Sequence, residues 1–216
     1  AILLILVIGG CALGKVLLDK YSYSKEEADW NEFYQVSEND RSAIILQNEM
    51  VEEQALIKDG VCYFDLATVH KYMNEVFYAD MTENLLLYAT PTEVIRTTFG
   101  ETVYTTTEGT QEAGYVISFA DGDNVYVAAD YVKLFTNYSY ECYDRHVQVN
   151  TEWGTRQVAQ LKKDTAVRLR GGVKSPILTQ AVKGDTLEIL EQMETWSKVK
   201  TCLLYTSDAA DEARSV

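Results

Sequence analysis

Histidine and cysteine, the residues that build most transition-metal sites and disulfide frameworks, are scarce in this sequence. There are two histidines and four cysteines among 216 residues. A copper site needs more imidazole or thiolate donors than that, and the cysteine spacing matches neither a zinc site nor a disulfide framework. We therefore predict no metal site and no cofactor. His70 is expected on a solvated helix surface and His146 in a hairpin turn.

The four cysteines carry no predicted chemistry. Cys11 lies in the apolar start of the chain and Cys202 in its polar tail, which leaves Cys62 and Cys142 as the only candidate pair in the sequence. Both occupy strand-like positions, where a cysteine is usually a small buried apolar residue rather than a nucleophile. We expect Cys62 and Cys142 to belong to the core.

Positive charge is also in short supply. The chain has 19 lysines and arginines against 33 aspartates and glutamates, a formal net charge of −14. Such an acidic chain repels phosphate backbones, which argues against a nucleic-acid partner. The sequence also lacks a Gly-x-Ser-x-Gly nucleophile elbow and the glycine and lysine spacing of a phosphate loop. "ADGDN" lacks the later glutamate of a calcium loop and is expected to be a hairpin turn. We predict no catalytic residues.

Proline is nearly absent and glycine is not abundant. Two prolines and twelve glycines form no obvious flexible linker, and the length allows one or two small domains. Fifteen tyrosines against six phenylalanines are typical of half-buried, amphipathic strand surfaces.

The one long apolar run lies at the start, in "AILLILVIGGCALGKVLL". Its length is close to what a helix needs to span a bilayer, and Lys15 can extend toward the headgroups. We predict a membrane anchor at residues 1–20, an acidic juxtamembrane segment at 21–42, and the bulk of the chain outside the cell. A lipid anchor at Cys11 is one alternative, because "IGGC" loosely matches a lipobox. A cleaved signal or a buried helix is another.

Two stretches in the middle of the chain are alike. "YFDLATVHKYMNEVFYADMTENLLLYAT" and "YVAADYVKLFTNYSYECYDRHVQVNT" align at an offset of about 63 residues. In each, a short strand runs into an amphipathic helix, followed by an aromatic strand, a polar turn (residues 80–84 and 144–146) and another strand. Hairpins are predicted between them at Gly100 and at residues 121–123. The matched residues are Tyr63 with Tyr126, Val69 with Val132, Tyr72 with Phe135 and Asn74 with Asn137.

The pattern changes after residue 151 to short strands. Residues 165–169 alternate, and "KGD" predicts a tight turn before residues 187–190. Trp196 opens another strand that ends near residue 199 and is expected to pack in the core. The fold class is therefore α+β, mainly β: a duplicated strand–helix–hairpin domain followed by a second small β domain, with an apolar helix at the N-terminus.

The motif "IKDGVCYFDLATVHKYMNEVFYADMTENLLLY" resembles the repeat of the copper amine oxidase N-terminal-like domain, found on many secreted Gram-positive proteins. The resemblance covers residues 43–151. In the parent enzymes this domain is a stalk and the copper site lies elsewhere. The resemblance thus implies a non-catalytic role and no copper.

Residues 152–201 resemble a bacterial SH3 domain. "KGDTLEIL" and "WSKV" match two of its strands, "AVRLRGG" takes the place of its first strand, and its closing "GYV" strand is missing. The resemblance implies an incomplete SH3-like β-barrel. "GGVKSP" also departs from the family's loop, which puts in doubt any ligand contact made there.

The tail "CLLYTSDAADEARSV" has neither period two nor a helical apolar stripe. Back-translated, its first ten codons match the transposon-end adapter of a sequencing library. We therefore expect residues 202–216 to be an artefact that carries no strand and to replace a natural continuation.

Together, an anchor, a stalk-like repeat and an SH3-like domain resemble the front of clostridial surface proteins in which a family 18 (chitinase-like) glycoside hydrolase domain follows. The resemblance implies a non-catalytic, surface-anchored stalk and cell-wall-targeting region whose catalytic domain is missing, with peptidoglycan or another wall glycan as partner. The alternative is a stand-alone wall-binding or adhesion protein.

Overall fold

The structure is a computed structural model that describes residues 14–36, 38–201 and 208–209. This part of the chain is mainly β, as predicted. The helices are α1 (14–21), α2 (Trp30–Tyr34), α3 (Leu66–Tyr72) and α4 (Ala129–Lys133). The first strands are β1 (Arg41–Leu46), β2 (Glu49–Lys58), β3 (Val61–Asp65), β4 (Phe77–Asp80), β5 (Leu85–Ala89) and β6 (Val94–Thr98).

The remaining strands follow in two runs. Strands β7 (Val103–Thr106), β8 (Gly109–Glu112), β9 (Ser118–Asp121), β10 (Asn124–Ala128), β11 (Ser139–Cys142) and β12 (His146–Asn150) complete the middle of the chain. Strands β13 (Val158–Gln160), β14 (Thr165–Arg168), β15 (Ile177–Ala181), β16 (Thr186–Gln192), β17 (Ser197–Lys200) and β18 (Asp208–Ala209) lie toward its end.

The chain divides into two compact units. The central unit is Tyr34–Gly154, and the terminal unit combines Ala1–Phe33 with Thr155–Val216. The central unit is wider than the repeat predicted at 43–151, and the predicted acidic segment at 21–42 is divided between the two units. Of the predicted anchor at 1–20, only residues 14–20 are described, and they are helical. No helix within the described ranges is long and apolar enough to cross a membrane.

The central unit contains a seven-stranded and a five-stranded sheet. The larger has the order β11-β12-β1-β2-β3-β10-β9, and the smaller is a meander from β4 to β8. Strands β1 and β12 pair in parallel although about a hundred residues separate them, with Ala43 opposite His146. This pairing brings the start and the end of the unit side by side.

Local turn chemistry explains the hairpins. Gly100, between β6 and β7, and Gly122, between β9 and β10, have φ of 87° and 60°. Residues with a side chain adopt this left-handed conformation at a cost that glycine avoids. Both predicted hairpins are confirmed.

Each helix of the central unit follows a strand directly. Helix α3 follows β3, and Oδ1 of Asp65 caps it by accepting a hydrogen bond from the Thr68 amide at 2.6 Å. Helix α4 follows β10 without a side-chain cap. Val69 and Val132, one on each helix, are fully buried. Each helix is followed by a hairpin, β4–β5 after α3 and β11–β12 after α4.

The core of the central unit is continuous and aromatic. Phe77 lies within 6.2 Å of the ring centroids of Tyr88, Tyr131 and Phe135, and Tyr88 stacks on Phe135 at 4.4 Å. These rings join residues from both stretches that the sequence aligns. One core therefore serves both stretches.

The terminal unit is built on a six-stranded sheet of order β13-β16-β17-β18-β14-β15. Its buried apolar cluster contains Leu161, Val167, Ala181, Leu187 and Val199. Residues just after α1 extend along β15: Glu27 bridges Ile177 in parallel, and the Ile177 amide donates to the Glu26 carbonyl at 2.7 Å.

The prediction that the tail carries no strand is wrong at two residues. Asp208 and Ala209 form β18, which pairs with Arg168 and Val167 of β14 and with Ser197 of β17. The unpaired backbone groups on the facing edges of β14 and β17 make a template that an extended segment can fill.

Candidate functional site

The two histidines occupy different environments. His70 is exposed on α3, as predicted, and its Nε2 lies 2.6 Å from the Phe77 carbonyl oxygen. The prediction of a hairpin turn for His146 is wrong: it opens β12, is 3% exposed, and stacks between the rings of Tyr34 and Tyr143. Tertiary stacking with Tyr34, more than a hundred residues away, determines this burial. Within the described residues no three histidine, cysteine, aspartate or glutamate side chains group as metal ligands.

The two cysteines of the central unit differ in exposure. Cys62, on β3, is buried as predicted, whereas Cys142, at the end of β11, is exposed, so its predicted burial is wrong. Residue 142 is the last residue of β11, which is an edge strand, so no neighbouring strand covers Cys142 on its outer side. Both are free thiols, and their side chains lie close enough for each to shift the pKa of the other.

This interaction shifts the pKa values of the two thiols in opposite directions. The contact with Cys142 and burial raise the pKa of Cys62 well above its usual range. The contact with Cys62 lowers the pKa of Cys142, against the opposing effects of burial and the Asp130 carboxylate. The directions are those expected when the Cys62 thiol stays protonated and faces the Cys142 sulfur.

Phenols and one carboxylate surround the thiols. The Tyr138 hydroxyl donates to the Ala129 carbonyl, and the Asp130 carboxylate in the first turn of α4 interacts with the Tyr140 phenol and raises its pKa. Burial is the largest cause that raises the pKa of Tyr138 and Tyr140. The sequence did not single out Asp130 or Tyr140, and only the fold brings them to Cys62.

The thiols, Asp130, Tyr138 and Tyr140 form what we call the thiol cluster. Clusters of titratable groups with shifted pKa values are often functional. These groups can undergo thiol reactions and exchange protons.

A second cluster lies in the terminal unit around Arg168. Arg168 is 2% exposed, and its Nη1 donates to the Ser24 carbonyl at 3.1 Å and to the Ser175 carbonyl at 2.6 Å. Its guanidinium also lies 5.4 Å from the Tyr23 ring centroid. Its Nε has no hydrogen-bond partner within the described part of the chain. These contacts hold the segment after α1 against the loop that joins β14 to β15.

Trp196 lies at the same loop. It immediately precedes β17 and is half-buried, outside the buried apolar cluster, so the prediction that it packs in the core is not met in full. A Cβ added at Gly171 would come within 3.2 Å of Trp196 Cγ. The indole therefore packs closely against Gly171 and keeps part of its surface open to solvent.

The chain was compared with family models, curated proteins and solved structures. No family model, no curated protein and no solved structure matches it.

Proposed function

We propose that the chain is the non-catalytic, surface-anchored stalk and cell-wall-targeting region of a family 18 (chitinase-like) glycoside hydrolase whose catalytic domain is missing from it. The observation that carries the proposal is the recurrence of strand, helix and hairpin in the central unit. Val69 and Val132, which the sequence alignment pairs, are both fully buried on equivalent helices. This recurrence supports a duplicated copper amine oxidase N-terminal-like domain.

Support for a partial SH3-like barrel in the terminal unit comes from its strands. Strands β14, β15, β16 and β17 are short and antiparallel, and the segments "KGDTLEIL" and "WSKV" contribute β16 and β17. The space between β17 and β14 is where a closing strand would pair with both neighbours.

The charge of the chain and one half-exposed aromatic surface support the proposed partners, a wall glycan and a membrane. A net charge of −14 disfavours nucleic acid, and the half-exposed indole of Trp196 is a surface on which a sugar ring of a wall glycan can stack. The apolar run at 1–18, whose described residues 14–18 are helical, supports a membrane anchor at the Gram-positive cell surface with the bulk of the chain outside.

The test is co-sedimentation of the purified full chain with insoluble peptidoglycan sacculi in mild detergent. We expect saturable binding that Trp196→Ala weakens about tenfold, since a stacked aromatic is a typical binding hot spot. Trp153→Ala is the matched control, because Trp153 is 59% exposed and lies in the central unit. No binding to sacculi, or equal weakening by both substitutions, would refute wall targeting through Trp196.

The alternative is a stand-alone wall-binding or adhesion protein. The cleanest discrimination is genomic sequence beyond codon 201. A barrel with an Asp-x-x-Asp-x-Asp-x-Glu motif after it would support the hydrolase, whereas an in-frame stop codon soon after the SH3-like domain would support the alternative.

A further inference from the structure

We propose that Cys62 and Cys142 are the two halves of a reversible disulfide that locks β11 onto β3. The structure holds them as free thiols in mutual contact. This site goes beyond the proposed stalk function and does not depend on it.

The geometry of the two strands brings the sulfurs together. Alternate residues of a strand share a face, so Cys62 lies on the same face of β3 as Phe64, and Cys142 on the same face of β11 as Tyr140. The rings of Phe64 and Tyr140 meet edge to face with centroids 6.5 Å apart. The two faces therefore oppose each other, and the thiols form the next contact along them.

The partner strand of β11 supports the same arrangement. Cys142 pairs with Val147 and Tyr140 with Val149 across the β11–β12 ladder. Val147 and Val149 are fully buried in the core cluster that also holds Cys62 and Phe64. The face of β11 that carries Tyr140 and Cys142 therefore points into the same core cluster as Cys62 and Phe64 of β3.

Exposure and acidity assign different roles to the thiols. Cys142 is exposed and its pKa is lowered, so it is the thiol that a dissolved disulfide meets first as a thiolate. Cys62 is buried and its pKa is raised, so it reacts second, once a bonded sulfur stands beside it.

The reaction is two thiol–disulfide exchanges with a low-molecular-weight disulfide such as oxidised glutathione. In the first, the Cys142 thiolate attacks one glutathione sulfur, the glutathione S–S bond breaks, and one glutathione leaves as a thiolate. In the second, Cys62 loses its proton to solvent and attacks Cys142 Sγ. The Cys62–Cys142 bond forms and the second glutathione leaves. Two electrons pass from the cysteines to glutathione disulfide, which becomes two glutathione thiols.

The test treats the folded full chain with oxidised glutathione, blocks remaining thiols by alkylation, and maps tryptic peptides by mass spectrometry without reduction. Cleavage after Lys58, Lys71, Lys133 and Arg145 releases Cys62 in peptide 59–71 and Cys142 in peptide 134–145. We expect both alkylated peptides to be lost and replaced by one species in which 59–71 and 134–145 are linked. Dithiothreitol should restore the two separate peptides.

Two matched variants sharpen the assignment. Cys142→Ser should abolish the linked species and leave Cys62 slow to alkylate, while Cys62→Ala should stop the reaction at a glutathione adduct on Cys142. In Cys62→Ala the rate of Cys142 alkylation near neutral pH should also fall, because the contact with Cys62 that favours the Cys142 thiolate is gone.

Three results would overturn the proposal in the wild-type chain, where folding is not in question. These are a stable glutathione adduct on Cys142 without the linked species, a Cys142–Cys142 link between two chains, and Cys62 alkylated faster than Cys142.

Discussion

The central and terminal units differ in how much core holds each together. In the described residues, the central unit's buried cluster runs from Ile44 to Val149 and includes many aromatic rings, while that of the terminal unit consists of five aliphatic residues. Small units bury a smaller fraction of their surface and are correspondingly marginal. One chain thus combines a unit with an extensive aromatic core and a unit whose small aliphatic core leaves more of its stability to the sheet. Amide exchange should therefore be faster across 155–201 than in the central unit.

The largest expected effect comes from charging the two central helices. Val69→Asp and Val132→Asp should each destabilise the central unit by about 3–5 kcal/mol, because each buries an unpaired carboxylate. Urea denaturation measures the change. Val94→Asp is the control, since Val94 is 56% exposed, and it should cost less than about 0.5 kcal/mol. If either helix substitution were equally mild, the alignment of the two stretches would be wrong.

The second-largest expected effect is at alkaline pH, which should destabilise the central unit more than the terminal unit. Burial raises the pKa of Tyr131 and Tyr138, and it raises that of Tyr115 to about 12. Below about pH 9 these phenols are protonated in both the folded and the unfolded chain, so they do not make stability depend on pH. Between about pH 10 and 12 they ionise only when unfolded, which lowers the free energy of unfolding.

Residues 155–201 contain no tyrosine, and Tyr21 and Tyr23 of the terminal unit are more than half exposed, so the loss should fall mainly on the central unit. Fluorescence of two variants, one retaining only Trp153 and one only Trp196, reports the units separately. Earlier alkaline unfolding at Trp196 than at Trp153 would contradict the prediction.

A complete closing strand should strengthen the terminal unit. At present β18 supplies two residues between β17 and β14. Replacing residues 202–216 by a natural continuation with a Gly-Tyr-Val strand adds ladder hydrogen bonds and should raise the opening free energy by about 1–2 kcal/mol. Hydrogen exchange at 187–190 and 196–199 measures it, with the central unit as internal reference. Equal protection in both chains would mean that the sheet does not need this strand.

The smallest expected effect is at Gly171. Gly171→Ala places a Cβ 3.2 Å from Trp196 Cγ, and the half-exposed indole can move by a few tenths of an ångström at a cost below about 1 kcal/mol. Gly154→Ala is the control, because an added Cβ there meets nothing within 4 Å. Thermal denaturation followed by Trp196 fluorescence should show a small loss for the first and none for the second. A loss above about 2 kcal/mol at Gly171 would mean that Trp196 is rigidly packed.

The sequence by itself determined the features that depend on neighbours along the chain. Gly100 and Gly122 mark their hairpins because only a residue without Cβ adopts the required φ at little cost. The helical spacing of apolar residues identified Val69 and Val132 as buried and left His70 at the surface. Each of these features depends on only a few neighbouring residues, so a local pattern is enough to predict it.

Only the tertiary structure decided what lies across the fold. The stacking of His146 on Tyr34, the contact of Cys62 with Cys142 and the docking of residues 24–28 on β15 each join segments about 80 to 150 residues apart. The strand pattern gives the alternation of faces but not which strand lies beside which, because pairing depends on the total burial that the completed sheets achieve. The two thiols belong to one site because β11 and β3 face each other at the Phe64–Tyr140 contact although three strands lie between them in the sheet order, and no local signal in the sequence records this.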